Sequence, residues 1–457
     1  MKINLKENKK FINKEKNMKW YHFLGDGSTQ FGLNAINGLI GVLTYFYTDK
    51  IGLSAGVVGT ILLVTKVIGA FTDLAMGSIV DKTKSRFGKV RPWFLWMALP
   101  VIVSIISIFY IPANSSSSFK SVYALITNIL AIAVVYTAVA IPYGCLVAVR
   151  TNKVEERSKM GITRSIFGYI SGMIIAIGLI PITNMLGGTQ KAWINVSIVF
   201  GVVCGLTFLL TFLVSKEETV KIEKKEEKIS FKESLILLFK NKYWIIMFGV
   251  MFVSNIGYSL SASTGIYYAK YVLGNENLVG IMGAIGLVPV ILGFLVIGPM
   301  VRKYGLAKTT RITLFIGIVA NIIRIFTPYS FISALICGGI TTFATIPMMS
   351  IGGVLINNTI EYGEWLHEKR IIGMTNSVSS FGGKIGSGIG TAMIGWILTL
   401  GNYNGALAVQ PKSSVQMILV LCIHLPLVLF VLMYLNLRKY DLDEKYPQIL
   451  EELANRN

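Results

Sequence analysis

The chain is 457 residues long, 53% hydrophobic and only 14% charged, with a formal net charge of +20. A water-soluble domain carries roughly 25% charged residues, so this composition excludes one and fits a polytopic membrane protein whose side chains face lipid or other helices. The excess of lysine and arginine sits in short connectors rather than on one continuous basic face, which excludes a nucleic-acid platform.

The first twenty residues, "MKINLKENKKFINKEKNMKW", are basic but have no apolar core and no small-residue cleavage site, unlike a secretory signal. Residues 1–26 are therefore expected to form a cytoplasmic tail. Twelve apolar segments long enough to cross a bilayer follow, at 27–47, 56–80, 92–111, 120–149, 162–185, 193–214, 243–270, 278–301, 308–327, 330–357, 372–400 and 414–436. Connectors after even-numbered segments are basic, as in "DKTKSRFGKVR" and "RTNKVEERSKMGITR", whereas "IPANSSSSFKS", "LGNENL" and "GNYNGALAVQPKSS" on the other side are not. The positive-inside bias then places both termini in the cytoplasm of a cell (inner) membrane protein.

The Lys/Glu-rich connector 215–242 is the longest and divides the chain into two six-helix bundles, 27–214 and 243–436, followed by a cytoplasmic tail at 437–457. A faint internal repeat supports this division. "GSIVDKTKSRFGK" follows the second segment and "GPMVRKYGLAKTTR" the eighth, the equivalent place in the other half. Repeated halves of this kind mark two-bundle alternating-access transporters. The expected fold is all-α with twelve transmembrane helices in the major facilitator arrangement.

Charges inside the spans are the candidate functional groups, because a buried charge at bilayer depth costs roughly 3 kcal/mol or more. Lys66, Gly69 and Asp73 fall at i, i+3 and i+7 of one helix and share a face. The alternative reading of Asp73 is an ion pair that only fixes packing. Lys384 sits among Gly382, Gly383, Gly386, Gly388 and Gly390, where helices approach closely, and Asp73 is its best-placed partner by depth. Arg164 lies just inside the fifth segment and could turn inward, whereas Arg150 is expected to snorkel to the interface. "IEYGEW" with Lys369 and Arg370 is either a wetted connector or a gate facing "DKTKSRFGK". Asn34, Asn37, Tyr136, Thr137, Asn255 and Tyr258 could bond hydroxyls or stack on a sugar ring, although each alone is more often interhelical glue. The four cysteines and three histidines show no metal-ligand spacing, and no nucleophile elbow or phosphate loop is present. The chain is not expected to be an enzyme, to hold a cofactor, or to hydrolyse ATP.

The stretch "YFYTDKIGLSAGVVGTILLVTKVIGAFTDLAMGSIVDKTKSRFGKVRPW" resembles the glycoside-pentoside-hexuronide:cation symporters of the major facilitator superfamily, which include the melibiose and glucuronide carriers. "IEYGEWLHEKRIIGMTNSVSSFGGKIGSGIGTAMIGWIL", "GNYNG" and "YDLDEKYPQILEEL" in the second half resemble the same family independently. The resemblance implies a V-shaped pair of bundles around a central sugar site and cation-coupled uptake.

Carried over from the melibiose carriers, the cation site comprises Asp73, Thr72 in the place of an asparagine, and Thr137. Gly69 stands where a second aspartate is usual. Arg164 and Lys384 match substrate residues, with Ser380, Tyr136 and Asp26 added as candidates. Ala140 and Gly144 replace an aspartate and a tryptophan on the fourth helix, and neither Gln30 nor Leu33 supplies the acid expected on the first. Asp81, Arg86, Glu361, Glu364 and Arg370 are the candidate gate. A lone carboxylate favours H+ as the coupling cation over Na+, with Asp73 as the place for Na+ if that is the ion. The expected cargo is a sugar or glycoside, a uronide included, carried by a monomer embedded in a lipid bilayer. An uncoupled facilitator and a non-transporting sugar sensor are the alternatives.

Overall fold

Apolar segments cross a bilayer as helices because every backbone N–H and C=O must find its partner inside the segment. The computed structural model describes residues 18–112, 114–151, 153–217, 231–369 and 371–456, and among these it contains helices and no strand. Helix α1 covers 20–50, ending in a π-helical turn at Phe46–Lys50; α2 is Ala55–Lys82 and α3 is Pro92–Phe109. Helix α4 covers 117–150 with a π-helical centre at Ile129–Tyr136, and is followed by α5 (Val154–Met185) and α6 (Gln190–Val214). After the short α7 (Phe231–Lys240) come α8 (Lys242–Tyr271), α9 (Leu278–Tyr304), α10 (Leu306–Phe326), α11 (Phe331–His367), α12 (Ile372–Leu400), α13 (Lys412–Leu437) and α14 (Leu442–Arg456).

Helices α1–α6 and α8–α13 correspond one to one with the twelve segments expected from sequence. Ten of the described helices are apolar enough to cross a membrane on composition alone, and α1 and α12 fall short. Those two carry Asp26, Gln30, Asn34 and Asn37, and Asn376, Ser380 and Lys384, which is the chemistry of helices that face a polar interior. Three boundaries differ from expectation. Helix α1 starts at Trp20, so Asp26 lies within a helix instead of in the tail, and α7 and α14 are ordered elements inside the linker and the C-terminal tail.

Within the first half α1 packs on α5 and α6, α3 on α6, and α2 on α4; in the second, α10 packs on α11 and α13, and α8 on α13. The halves meet along two seams, α2 against α12 and α5 against α9. Each seam depends on a glycine. A Cβ at Gly59 would stand 2.7 Å from the Ala392 carbonyl oxygen, and one at Gly280 would stand 2.6 Å from that of Ile177. Backbones at this separation leave no room for a side chain.

The two halves also share a capping device. Glu217, three residues beyond α6, accepts the backbone N–H groups of Lys89, Val90 and Arg91 at 2.9, 2.7 and 2.6 Å, just ahead of α3. Asp443, beyond α13, accepts the N–H of Ala307 at 2.6 Å in the first turn of α10. In both halves an acid placed after the sixth span satisfies orphan donors at the start of the third, where the helix dipole favours negative charge. Gly305, just before α10, holds φ +82, a left-handed conformation that suits glycine. Arg150 does not snorkel as expected. It is buried and caps α6, donating to the carbonyls of Lys216 at 2.5 Å and Val214 at 3.3 Å.

Glu217→Ala and Asp443→Ala are each expected to lower stability by about 1–2 kcal/mol, the usual worth of a strong N-terminal cap. Because the two sites lie in different halves, the double variant should lose the sum. Thermal unfolding in detergent measures both.

Candidate functional site

A cavity of about 980 Å³ lies between the halves. Its walls follow helical periodicity: Met251, Asn255, Tyr258, Ala262 and Gly265 form a stripe on α8, and Asn376, Ser380, Gly383, Ser387 and Thr391 one on α12. Asn34, Asn37 and Tyr136 line the opposite side, with the Asn37 amide donating to the Tyr136 hydroxyl at 3.0 Å. The charged side chains in the lining are Lys66 and Lys384. Amides, hydroxyls and two cations therefore face the solute space.

The ammonium of Lys384 is paired with the carboxylate of Asp73 across the α2–α12 seam. Asp73 also accepts the Thr137 hydroxyl at 2.8 Å, and Lys384 Nζ donates to the Gly69 carbonyl at 3.2 Å. Gly69 thus contributes a backbone oxygen, not a carboxylate, to the same group. Asp73 and Thr137 come together as expected, while Thr72 turns its hydroxyl back onto the Gly69 carbonyl at 3.1 Å. Lys66, two turns ahead of Asp73, makes no hydrogen bond or ion pair among the described residues. The cluster holds one acid and two bases, and an ammonium already occupies the place of a cation.

Arg164 and Asp26, both expected at the substrate, bond each other. Arg164 Nε and Nη2 donate to the two Asp26 oxygens at 2.7 and 2.6 Å, and the guanidinium lies 3.7 Å over the ring of Tyr143. The Asp26 side chain is 1% exposed. The pair is a closed unit inside the first half and does not line the cavity, whereas Ser380 and Tyr136 do.

Of the expected gate, Asp81, Arg86, Glu361 and Glu364 lie among the described residues. Asp81 and Arg86 are exposed, with the Arg86 guanidinium resting over Phe87 at 4.7 Å. Among the described residues no ion pair links Asp81 or Arg86 to Glu361 or Glu364, and Arg370 lies outside the described residues. Lys369 instead pairs with Glu233 of α7.

The halves are tied at the opposite end by residues that sequence reasoning did not single out. Asp49, with a side chain of 0% exposure, accepts Lys270 Nζ at 2.8 Å and the hydroxyls of Tyr271, Tyr403 and Thr48 at 2.5, 2.6 and 2.7 Å. Tyr45 donates to Glu276 at 2.5 Å, and Asn184 to Asn277 at 2.9 Å. The signal was available in "FYTDK" and "GIYYAKYV", where a charge follows tyrosines at a span end. It reads as a solvated connector unless the partner is known.

The model of the MFS/sugar transport protein family matches residues 26–444. The uncharacterized symporter YnaJ of Bacillus subtilis (strain 168) is 32% identical over 452 residues, covering 95% of this chain and 94% of its own. The isoprimeverose transporter of Lactiplantibacillus pentosus is 30% identical over 457 residues, covering 97% and 93%. In fold the chain is similar to a bacterial homolog of the human lysosomal transporter Spinster in its inward-facing, unoccupied conformation, at a TM-score of 0.66 and 13% identity over 94% of this chain and 99% of the other.

Removing one member of a buried ion pair leaves the other uncompensated. Arg164→Met is therefore expected to cost about 3–5 kcal/mol, and Asp26→Asn combined with Arg164→Met to recover much of that loss. Thermal unfolding of the single and double variants in detergent is the check. A loss in the double variant equal to the sum of the losses in Asp26→Asn and Arg164→Met would mean that the pair is not coupled.

Proposed function

Because the chain belongs to the MFS/sugar transport protein family and, within it, to the glycoside-pentoside-hexuronide:cation symporters, which are membrane transporters and not enzymes, we propose that it imports a sugar or glycoside with a coupling cation. The observation that carries this reading is the Asp73–Lys384 pair, set beside Thr137, with Lys384 in the wall of the cavity between the halves. The relative named for isoprimeverose supports a sugar as cargo.

The coupling follows from charge balance. With Asp73 ionised, Lys384 bridges the two halves and two of its three donors are engaged, by Asp73 and the Gly69 carbonyl. A proton on Asp73 removes the attraction, frees the ammonium for sugar hydroxyls and loosens the seam. Binding of cation and sugar then reinforce each other, as linkage requires. Na+ would have to displace the ammonium and be held by Asp73, Thr137 and the Gly69 carbonyl, with Thr72 turning in. A single carboxylate is a weak field for that exchange, so H+ is the favoured ion.

In the same reading the basic connectors face the cytoplasm and the protein works as a monomer. The Asp49 network then closes the outer end, and the structure is inward-facing. Asp81, Arg86, Glu361, Glu364 and Arg370 form the gate that closes the inner end when the molecule turns outward. Arg164 and Asp26 act on the sugar only if their mutual bond opens in another state of the cycle.

Uptake of labelled glycosides, pentosides, uronides and polyols into vesicles under separate proton and sodium gradients tests the cycle. Wild type should accumulate one sugar class under the proton gradient. Asp73→Asn should abolish accumulation and keep exchange of that sugar across the membrane. Accumulation undiminished in Asp73→Asn would reduce Asp73 to a packing charge; exchange with no accumulation under either gradient in wild type would make the protein a facilitator; binding without exchange in wild type would make it a sensor.

Asp49→Asn is expected to shift the resting population toward opening at the outer end, read as faster labelling of a single cysteine placed at Ala262 by an impermeant thiol reagent. Unchanged labelling would remove the network from gating.

A further inference from the structure

Tyr258 stands in the cavity wall with its ring uncovered. The residue is 67% exposed, and among the described residues it has no hydrogen bond and no ring contact. Tyr136, the other aromatic of the lining, is half-buried and bonded to Asn37. Position on the α8 stripe, three residues after Asn255 and four before Ala262, turns Tyr258 toward the solute space and not toward lipid. A large aromatic face left open in the wall of a cavity, with amides and hydroxyls near it, is a surface for something to cover.

The surroundings specify what that is. Asn255 lies one turn away on the same stripe, Ser259 and Ser387 are bonded to each other at 2.7 Å on the adjoining wall, and the Asn37–Tyr136 pair stands across from them. A flat π face bordered by amides and hydroxyls matches a pyranose ring, which presents axial C–H groups on its faces and hydroxyls at its rim. Aromatic rings hold such faces by burial and by the attraction of C–H hydrogens to the negative π surface.

We propose that Tyr258 is the stacking platform for the glycosyl ring of a pyranoside, with Asn255 beside it binding ring hydroxyls. The inference rests on the reading of the protein as a sugar transporter and deepens it. It places the ring of the cargo on the second half, in front of α8, rather than at Arg164 in the first. It also separates ring from chain: an open-chain polyol has the hydroxyls of a sugar but no face to stack.

The test uses full-length protein in nanodiscs, with titration calorimetry against methyl β-D-xylopyranoside, methyl β-D-glucopyranoside, methyl β-D-galactopyranoside and methyl β-D-glucuronide, and with xylitol and sorbitol as competitors. Wild type should bind at least one of the pyranosides and neither polyol. Tyr258→Phe keeps the ring and should stay within about twofold of wild type; Tyr258→Leu keeps apolar bulk without a π face and should weaken binding about tenfold. Because the side chain is exposed, both variants should unfold at the wild-type temperature. Equal affinity of Tyr258→Leu and wild type, polyols competing as well as pyranosides, or no pyranoside bound by wild type would each overturn the platform. Sugar exchange by wild type in vesicles distinguishes the failures: exchange that survives Tyr258→Leu with unchanged apparent affinity sinks the platform alone, whereas no exchange of any sugar sinks the transport reading with it.

Discussion

A charge pair that spans two bodies is the constraint on which the rest of this molecule depends. Asp73 belongs to the first half and Lys384 to the second, and their bond lies at the α2–α12 seam, beside the cavity that Lys384 lines. Removing either charge leaves the other without its partner inside a membrane-spanning segment, which is unfavourable. Any event that neutralises one therefore unsettles the other, and with it the contact between the halves. The close glycine approaches along both seams sharpen this dependence. Backbones in direct contact either pack or separate and do not stretch, so a local change of charge can become a movement of whole bundles.

The Asp49 network stands in a different relation to the seam. Its carboxylate is satisfied four times over, by an ammonium and three hydroxyls, and is fully enclosed. A group so completely hydrogen-bonded has little left to offer a solute, which makes it a tie and not a binding site. Asp73, by contrast, has one hydroxyl and one ammonium, and the ammonium comes from a side chain that also faces the cavity. The better-satisfied carboxylate ties the halves at one end of the molecule, and in the proposed cycle the less-satisfied one exchanges its partner.

Much of this was legible in the sequence because bilayer chemistry is restrictive. Apolar length gave the spans, connector charge gave the two-half division, and the rarity of charges within spans drew attention to Asp73 and Lys384 as partners. Thr137 was visible only as one of six polar residues within spans, and its place beside Asp73 came from the family resemblance, since a threonine in an apolar helix does not say which group it meets. What escaped was pairing that sequence distance conceals. Asp26 and Arg164 are 138 residues apart, and nothing in either neighbourhood says that each satisfies the other. Arg150 looked like an interfacial arginine because its acceptors, the carbonyls that end α6, are backbone groups and leave no mark in the side-chain pattern. Asp49 was passed over because a charge at the end of a span is ordinary; its burial comes from tyrosines brought in by the other half.

The replacement of a second acid by Gly69 has a consequence for the whole charge balance. With two carboxylates a site of this kind could hold an ammonium and a metal cation together. With one carboxylate, one backbone carbonyl and two lysines, the local charge is already positive when Asp73 is ionised, and more so once it is protonated. Repulsion from Lys66 and Lys384 opposes the entry of any further charge, a proton included, but a metal cation needs in addition several oxygen ligands that one carboxylate and one carbonyl do not supply. A proton arrives without needing a coordination sphere, and the positive charge it leaves on Lys384 can turn to the polar groups of the cargo. On that argument the lost aspartate does not disable coupling in the proposed cycle but narrows which ion can drive it, and it transfers to Lys384 the part that a bound metal cation would otherwise play.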